Sequence, residues 1–173
     1  MNGLRYVLAI IDDLSIFTWV YFLKKKSEVF EKFKDFKAFA EIATRRKIKS
    51  LKSDNGGEYT KSELLYICVE NGINIQHIVP YTPQENSVAE RKKRALKEMT
   101  TSILEYKYLD ANMWVEAMNF VAYIQNRVPY SFSNPNVFNL MLFGSTRWAR
   151  IPLDKRKYLE PQSVECIVIG YDE

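Results

Sequence analysis

Two acidic residues, Asp54 and Glu90, occupy positions where a carboxylate can serve metal chemistry. Asp54 follows a stretch, residues 48–53, that is predicted to be a short buried strand, and it precedes Gly56 and Gly57, which allow the backbone or a substrate to come close. Glu90 stands at the start of a basic stretch with helical spacing. Two such carboxylates can hold Mg²⁺ or Mn²⁺, ions that activate a water or hydroxyl for attack on a phosphodiester. Each residue alone also fits a simpler role, Asp54 as a turn residue and Glu90 as the salt-bridge partner of Arg94.

The residues around Glu90 divide into a charged face and an apolar face of one predicted helix. Lys93, Arg94 and Lys97 stand three, four and seven positions after Glu90, so all four share one side of the helix. A carboxylate among cations suits a surface that meets both a divalent cation and a phosphate backbone. The opposite side is predicted to pack on the core, and it consists of Ala89, Leu96, Met99 and Ile103.

The elements that must position these residues alternate between strands and helices. Continuous apolar runs predict strands, and apolar residues at helical spacing predict helices. Residues 6–11 and 18–23 are predicted to form an antiparallel hairpin, and Ser27 is predicted to cap the helix that follows. The remaining predicted elements are a helix to about residue 45, strands over 48–53 and 73–79, helices over 62–70, 88–104 and from 114, and a late strand over 164–170.

Composition limits the class of protein. The chain has 173 residues, of which 47% are apolar and 27% charged, as in ordinary globular domains. No apolar run is long enough for a membrane span, and no secretion signal is visible. Cys68 and Cys166 are expected to be reduced thiols of an intracellular protein. Because His77 is the only histidine, a zinc site of two histidines and two cysteines is excluded within this chain.

The net charge of +4 arises from separate basic clusters at residues 24–26, 45–47, 91–94 and 155–157. Each cluster alone is weak evidence for nucleic-acid binding, because most charge runs are solvated protein faces. The cluster at 91–94 differs from the others in its position directly after Glu90.

Several blocks of the sequence resemble the integrase catalytic core of copia-type (Ty1/copia) retrotransposons. Residues 52–59 are similar to the block around the second catalytic aspartate of that family, and residues 80–92 to the block around its glutamate. The 35 residues between Asp54 and Glu90 match the D,D(35)E spacing of the retroviral integrase superfamily. Further similar blocks, among them residues 126–129, extend the resemblance over nearly the whole chain.

The resemblance implies an α/β, RNase H-like fold, a mixed sheet flanked by helices, which in this chain lacks its first, central strand. It implies an integrase catalytic core over residues 1–129, incomplete at its N-terminus. Residues 130–173 are then a C-terminal extension, partly deleted relative to the family. The implied activity is metal-dependent 3′-end processing and strand transfer, with two Mg²⁺ or Mn²⁺ ions. The implied partners are retrotransposon ends and target DNA, in a homo-oligomer that works in the nucleus and involves no membrane.

By position, the resemblance assigns a role to individual residues. Asp54 and Glu90 are the implied catalytic residues and metal ligands. Electrostatic contacts with phosphates make DNA binding steeply dependent on salt. The implied nucleic-acid contacts are Asn55, Tyr81, Gln84, Asn86, Arg91, Lys93, Arg94 and Lys97.

One departure from the family pattern concerns the first catalytic aspartate. In the family that residue lies on a strand that precedes residues 6–11, and this sequence does not contain it. Asp12 and Asp13 match a different family position, so they are poor substitutes. The chain by itself is therefore expected to be inactive unless an upstream segment completes the triad.

Further departures leave a second function open. Glu85 adds negative charge to the loop near the DNA, Ser87 replaces a glycine there, and Ile16 stands where an arginine is usual. Residues 130–142 form a shorter stretch than in the family. The alternative is a catalytically inactive, decayed or domesticated remnant that at most binds nucleic acid or self-associates. An RNase H-like nuclease outside mobile elements fits less well, because the resemblance extends beyond the catalytic core.

Overall fold

The computed structural model describes residues 3–53, 61–77, 87–127, 141–156 and 161–171. Helices and strands occur together throughout these ranges, which confirms the predicted α/β class. No helix in the described ranges is long and apolar enough to cross a bilayer. In chain order the elements are β1 (Tyr6–Ile11), β2 (Thr18–Leu23), α1 (Val29–Thr44), β3 (Ser50–Ser53), α2 (Lys61–Glu70), β4 (Asn74–His77), α3 (Ser87–Tyr106), α4 (Trp114–Arg127), β5 (Thr146–Arg150) and β6 (Ser163–Ile167).

The first of two compact units comprises the described residues within 1–11 and 19–92. In this unit β3 and β4 pair in parallel, with Ser50 opposite Asn74 and Ser53 opposite His77. Parallel neighbours need a crossover connection, and α2 lies in the chain between them. The carboxyl end of β3 is thereby held beside that of β4.

One cluster of buried apolar side chains forms the core of this unit. Phe33 and Phe36 of α1 meet Ile67 and Cys68 of α2, each less than a tenth exposed. The ring of Trp19 lies 5.0 Å from that of Phe36, at an interplanar angle of 60°. All four strands contribute partly buried side chains to the same cluster, namely Ile10, Trp19, Tyr21, Leu51 and Ile75.

Helix α1 begins and ends with local hydrogen bonding that the sequence only partly predicted. The carboxylate of Glu28 accepts hydrogen bonds from the backbone N–H groups of Lys24 and Lys25, at 3.2 and 3.1 Å. A short 3₁₀ turn over Lys26–Glu28 then leads into the helix. The predicted cap at Ser27 is therefore wrong, because Ser27 lies inside this turn, where Lys25 is the N-cap, and Glu28 is the N-cap of α1. Arg45, with φ of 53°, terminates the helix in the left-handed region.

The second compact unit comprises the described residues within 12–18 and 93–173. Its core contains Ala117 and Phe120 of α4 together with Phe143. Tyr171 stacks on Tyr123 with ring centroids 4.1 Å apart, and on Phe120 at 5.5 Å. Its hydroxyl also donates to the carbonyl oxygen of Met141 at 3.1 Å. The end of the described chain is therefore tied to α4 by aromatic contacts.

The described strands pair as three two-stranded sheets, β1 with β2, β3 with β4, and β5 with β6. The single mixed sheet of the RNase H-like fold thus stays a prediction, as do the domain boundaries at residues 129 and 130. Strands β1 and β2 have the bounds that their apolar runs predicted. Strand β5 was missed, because its five residues are all exposed and carry no buried alternation. The predicted late strand is confirmed as β6, shifted to Ser163–Ile167.

Candidate functional site

Glu90 lies in the first turn of α3, and its side chain is exposed. The N-terminus of a helix carries unpaired N–H groups and a partial positive charge, which stabilise a carboxylate there. An exposed carboxylate on a regular helix is both accessible and held by its backbone. Glu90 is therefore accessible to solvent, and its role as a metal ligand stays a prediction.

The cations predicted to share the face of Glu90 are solvent-exposed, as the helical spacing indicated. Lys93, Arg94 and Lys97 are all exposed, and so is Arg91 beside them. One negative and four positive side chains thus lie within about two helical turns. Such a surface combines positive charge, which attracts a polyanion, with one carboxylate, the type of group that binds a divalent cation.

The opposite face of α3 differs in one respect from the prediction. Leu96 is buried at 2% exposure, whereas Met99 is 39% exposed and contacts Gln125, whose side-chain amide donates to its sulfur at 3.0 Å. The buried positions include Lys92 and Thr100, four residues before and after Leu96. The inward stripe therefore runs through Lys92, Leu96 and Thr100, which places Met99 at its edge.

Lys92 is the one cation of the 91–94 cluster that is buried, at 7% exposure. Burial disfavours its charged form and lowers the pKa of its ammonium group below the usual 10.5. The Thr100 hydroxyl donates to the carbonyl oxygen of Leu96 at 2.6 Å, so its polar group is satisfied within the helix. Lys92 accordingly does not belong to the exposed basic surface.

Asp54 follows directly after Ser53, the last residue of β3. The predicted strand before Asp54 is confirmed as β3. Because β3 pairs in parallel with β4, the residue before Asp54 lies at the carboxyl end of a parallel strand pair. Asp54 itself lies outside the described residues, and no distance from Glu90 follows. The same holds for four predicted nucleic-acid contacts, Asn55, Tyr81, Gln84 and Asn86.

The donor set that the sequence predicts consists of hard carboxylate oxygens, which suit Mg²⁺ or Mn²⁺. In the described ranges no three His, Cys, Asp or Glu residues come together as ligands. Of the two predicted ligands the described part contains Glu90, whose exposed carboxylate fits a hard divalent cation.

Asp12, considered as a substitute for the first catalytic aspartate of the family pattern, is engaged in the turn between β1 and β2. Its carboxylate accepts hydrogen bonds from the hydroxyl of Ser15 at 2.6 Å and from the Ser15 N–H at 2.8 Å. These bonds, with the hydroxyl first, lower the pKa of Asp12 below its usual 3.8. A structural role in the turn therefore accounts for this residue.

Asn126 is a residue whose role the sequence did not reveal. Its side-chain carbonyl accepts a hydrogen bond from the N–H of Thr18 at 2.9 Å, and its side-chain NH₂ donates to the Thr18 carbonyl oxygen at 2.8 Å. Thr18 is 2% exposed, so these are buried backbone groups. Asn126 thus joins the end of α4 to the first residue of β2, 108 positions away.

Arg127, the next residue, lies over the ring of Tyr123 at 3.2 Å from its centroid. Tyr123 in turn stacks on Tyr171. The resemblance marked residues 126–129 as a family block without explaining them. Because Tyr123 and Arg127 are four residues apart in one helix, the sequence could have indicated their contact. It could not have indicated the contact between Tyr123 and Tyr171.

Comparison with known proteins finds no family model that matches this chain. Over its whole length this chain is similar to part of the retrovirus-related Pol polyprotein from transposon TNT 1-94 of Nicotiana tabacum, with 40% identity over 185 aligned residues. The retrovirus-related Pol polyprotein from transposon RE2 of Arabidopsis thaliana is 30% identical over 99% of this chain. The Pro-Pol polyprotein of Simian foamy virus type 1 is 29% identical over 83% of it.

These relatives are much longer than this chain. It is aligned over its whole length with the TNT 1-94 polyprotein yet covers 14% of it, and it covers 12% of the RE2 polyprotein. The alignment with TNT 1-94 extends over 185 residues, more than the 173 of this chain, so that relative has residues with no counterpart here.

Proposed function

This chain belongs to the Pol polyproteins of copia-like retrotransposons, and from that premise we propose that it is their integrase catalytic-core segment. Its proposed activity is metal-dependent 3′-end processing and strand transfer of DNA. The observation that carries the proposal is the exposed Glu90 in the first turn of α3, surrounded by exposed cations on the same face. A helix of this kind can bring a metal ligand and a phosphate backbone to one surface.

The proposed metal ligands are Asp54 and Glu90, which come from different elements. Asp54 directly follows β3, and the parallel pairing with β4 fixes the end of that strand. Glu90 is held by the first turn of α3. A Mg²⁺ or Mn²⁺ ion held by Asp54 and Glu90 would supply Lewis-acid chemistry, which activates a water or hydroxyl for attack.

The proposed role of the basic residues is to hold the phosphate backbone of DNA beside these carboxylates. Arg91, Lys93, Arg94 and Lys97 are exposed and can contact phosphates without displacement of core residues. Phosphate contacts position a duplex and carry no base information, so binding is expected to show little sequence preference. Asn55, Tyr81, Gln84 and Asn86 complete the proposed contact set.

A homo-oligomer located in the nucleus completes the proposal, since integration joins two DNA ends to chromosomal DNA. The relatives bear the names of whole Pol polyproteins, of which this chain covers a small share. The activities of those polyproteins therefore come to this chain only as parts of the proposal.

The deciding experiment is DNA nicking and strand transfer in Mn²⁺ by the chain joined to an upstream segment that supplies the first catalytic aspartate, with DNA that carries retrotransposon ends. Asp54→Asn and Glu90→Gln change one carboxylate each with almost no change in shape, and both are expected to abolish the activity. Glu98→Gln, at an exposed position of the same helix, is the matched control and is expected to retain it. Circular dichroism verifies that each variant is folded.

A second readout does not depend on turnover. Paramagnetic Mn²⁺ is expected to broaden the amide NMR signals around Glu90 in the wild-type chain and in Glu98→Gln, but not in Glu90→Gln. A folded chain with neither activity nor this broadening would refute the proposal. The inactive-remnant alternative would then hold, and DNA binding would persist without any divalent cation.

A further inference from the structure

Four basic side chains from two separate parts of the sequence lie together at one end of the β1–β2 hairpin. The N–H of Arg5 donates to the carbonyl oxygen of Leu23 at 2.9 Å, so the residue before β1 lies beside the last residue of β2. Lys24, Lys25 and Lys26 follow directly in the chain, and all four basic residues are exposed. We name them the hairpin-end patch, which consists of Arg5, Lys24, Lys25 and Lys26.

The backbone and one side chain of this patch are held by further contacts. The carboxylate of Glu28 accepts hydrogen bonds from the N–H groups of Lys24 and Lys25, at 3.2 and 3.1 Å. The ammonium group of Lys26 lies 5.8 Å from the centre of the Tyr6 ring, and a cation so placed is attracted by the aromatic face. The patch therefore has a fixed backbone, to which a ligand can bind at a small cost in ordering.

The surroundings of the patch are also positively charged. Residues 3–8 and 21–35 contain six basic side chains and three carboxylates. The basic residues are Arg5, Lys24, Lys25, Lys26, Lys32 and Lys34, and the acidic residues are Glu28, Glu31 and Asp35. Asp35 pairs with Lys32 at 3.4 Å, and the Glu28 oxygens are bonded to N–H groups. The region therefore keeps a net positive charge, which is complementary to a polyanion.

The course of the chain places this patch at a particular end of the first unit. Helix α1 begins directly after the 3₁₀ turn that contains Lys26, and five residues join the end of α1 to β3. Phe36 of α1 and Leu51 of β3 belong to the same core cluster, so the two elements pack together. Because so short a connection reverses the chain, β3 runs back toward the end of the unit where α1 begins. The carboxyl end of β3, after which Asp54 follows, thus points toward the end that bears the patch.

Duplex DNA is the polyanion that suits this patch, because the proposed function brings DNA to Asp54. A duplex carries about one negative charge per 1.7 Å of its axis, so neighbouring cations can each meet a phosphate. Lysine and arginine side chains make such contacts through their charge and require no particular base.

We propose that the hairpin-end patch binds the phosphate backbone of duplex DNA and holds it at the end of the first unit to which β3 points. DNA is the ligand because this site extends the proposed function, on which it rests. The patch adds a second phosphate-binding surface, separate in sequence from the basic residues of α3. A duplex held there is positioned to reach the carboxyl end of β3.

The test is fluorescence anisotropy with a short labelled DNA duplex, measured in EDTA over a range of salt concentrations. Each phosphate contact adds about 0.9 to the slope of log affinity against log salt for a duplex, so Lys24→Ala with Lys25→Ala should lower that slope by about 1.8. Arg46→Ala with Lys47→Ala is the matched control, because it removes two adjacent exposed cations beyond the other end of α1. This control has the same net charge as the patch variant and should keep the wild-type slope.

Photo-cross-linking tests where the duplex lies. A duplex that contains iodouracil forms covalent bonds with nearby aromatic side chains under ultraviolet light. Mass spectrometry should then find the nucleotide on Tyr6, which is 39% exposed and lies under the Lys26 ammonium. Tyr66 of α2 is the control, since it is more exposed, at 68%, and should remain unlabelled. The yield at Tyr6 should fall in Lys24→Ala with Lys25→Ala.

Three results would overturn the hairpin-end patch as a DNA site, in samples that circular dichroism shows to be folded. The first is a wild-type chain that does not bind the duplex, and the second is equal salt slopes for the patch variant and its control. The third is loss of binding to phosphatidylserine vesicles in the patch variant with duplex binding unchanged, which would make the patch a lipid-binding surface.

Failure of the proposed function is a different result. Binding in EDTA requires no metal ion, and neither Asp54 nor Glu90 is changed in the patch variant. The proposed function fails if Glu90→Gln retains strand transfer, whatever the salt slopes are. The hairpin-end patch fails if its variant keeps the salt slope of the control, whatever the strand-transfer activity is.

Discussion

Replacement of Asn126 by alanine removes both hydrogen bonds that join the end of α4 to the start of β2. The N–H and carbonyl groups of Thr18 then lose their partners in a position that is 2% exposed. A buried polar group left without a partner costs about 1–3 kcal/mol. Two such groups would cost about 2–6 kcal/mol, and some access of water lowers that sum, so the free energy of unfolding should fall by about 2–4 kcal/mol.

The measurement is urea denaturation at neutral pH, followed by circular dichroism and tryptophan fluorescence. For a chain of this size the expected loss corresponds to a fall in Tm of roughly 5–15 °C. Asn119→Ala is the matched control, because Asn119 is an exposed asparagine of the same helix. Alanine favours helices, so that variant should be unchanged or slightly more stable. Equal stabilities of the two variants would refute the assignment of Asn126.

A charged variant of the same residue separates the two hydrogen bonds. Asn126→Asp keeps an oxygen that accepts from the Thr18 N–H but places a second, negative oxygen against the Thr18 carbonyl. At neutral pH it should be as unstable as Asn126→Ala. Protonation restores a donor, so the pKa of the new carboxyl should be raised in the folded state. Stability should then recover, relative to Asn126→Ala, as pH falls through that pKa.

Three further predictions concern the turn and the basic helix. Ile16 has a φ of 59°, a backbone conformation that strains a β-branched residue. The substitution Ile16→Asn should therefore raise the free energy of unfolding by about 1 kcal/mol. The control Leu14→Asn, at a position that is 92% exposed, should leave the free energy of unfolding unchanged. The pKa of Asp12 is lowered in the folded state, so its stabilisation is complete above the usual value of 3.8 and is lost as pH falls through the folded pKa. The stability difference between wild type and Asp12→Asn should therefore vanish in strong acid, and a difference independent of pH would contradict this. Lys93→Ala with Arg94→Ala should weaken duplex DNA binding equally for unrelated sequences, measured by anisotropy, whereas a changed sequence preference would contradict a phosphate-contact role.

The sequence determined the elements whose signals are local. The apolar runs at residues 6–11 and 18–23 predicted β1 and β2 with their observed bounds, because short runs rich in β-branched and aromatic residues favour strands. Helical spacing placed Glu90, Lys93, Arg94 and Lys97 on one exposed face of α3. Asp54 was predicted to follow a strand, and β3 ends at the preceding residue.

Only the tertiary structure decided the contacts between distant residues. Asn126 meets Thr18 across 108 positions, and Tyr171 stacks on Tyr123, with no periodicity that relates either pair. Strand β5 exists because β6 supplies its hydrogen-bond partners, although its own residues are exposed and carry no apolar pattern. The periodicity of apolar residues predicts which face of a single helix or strand is buried. Pairing between elements depends instead on which surfaces the folded chain brings together.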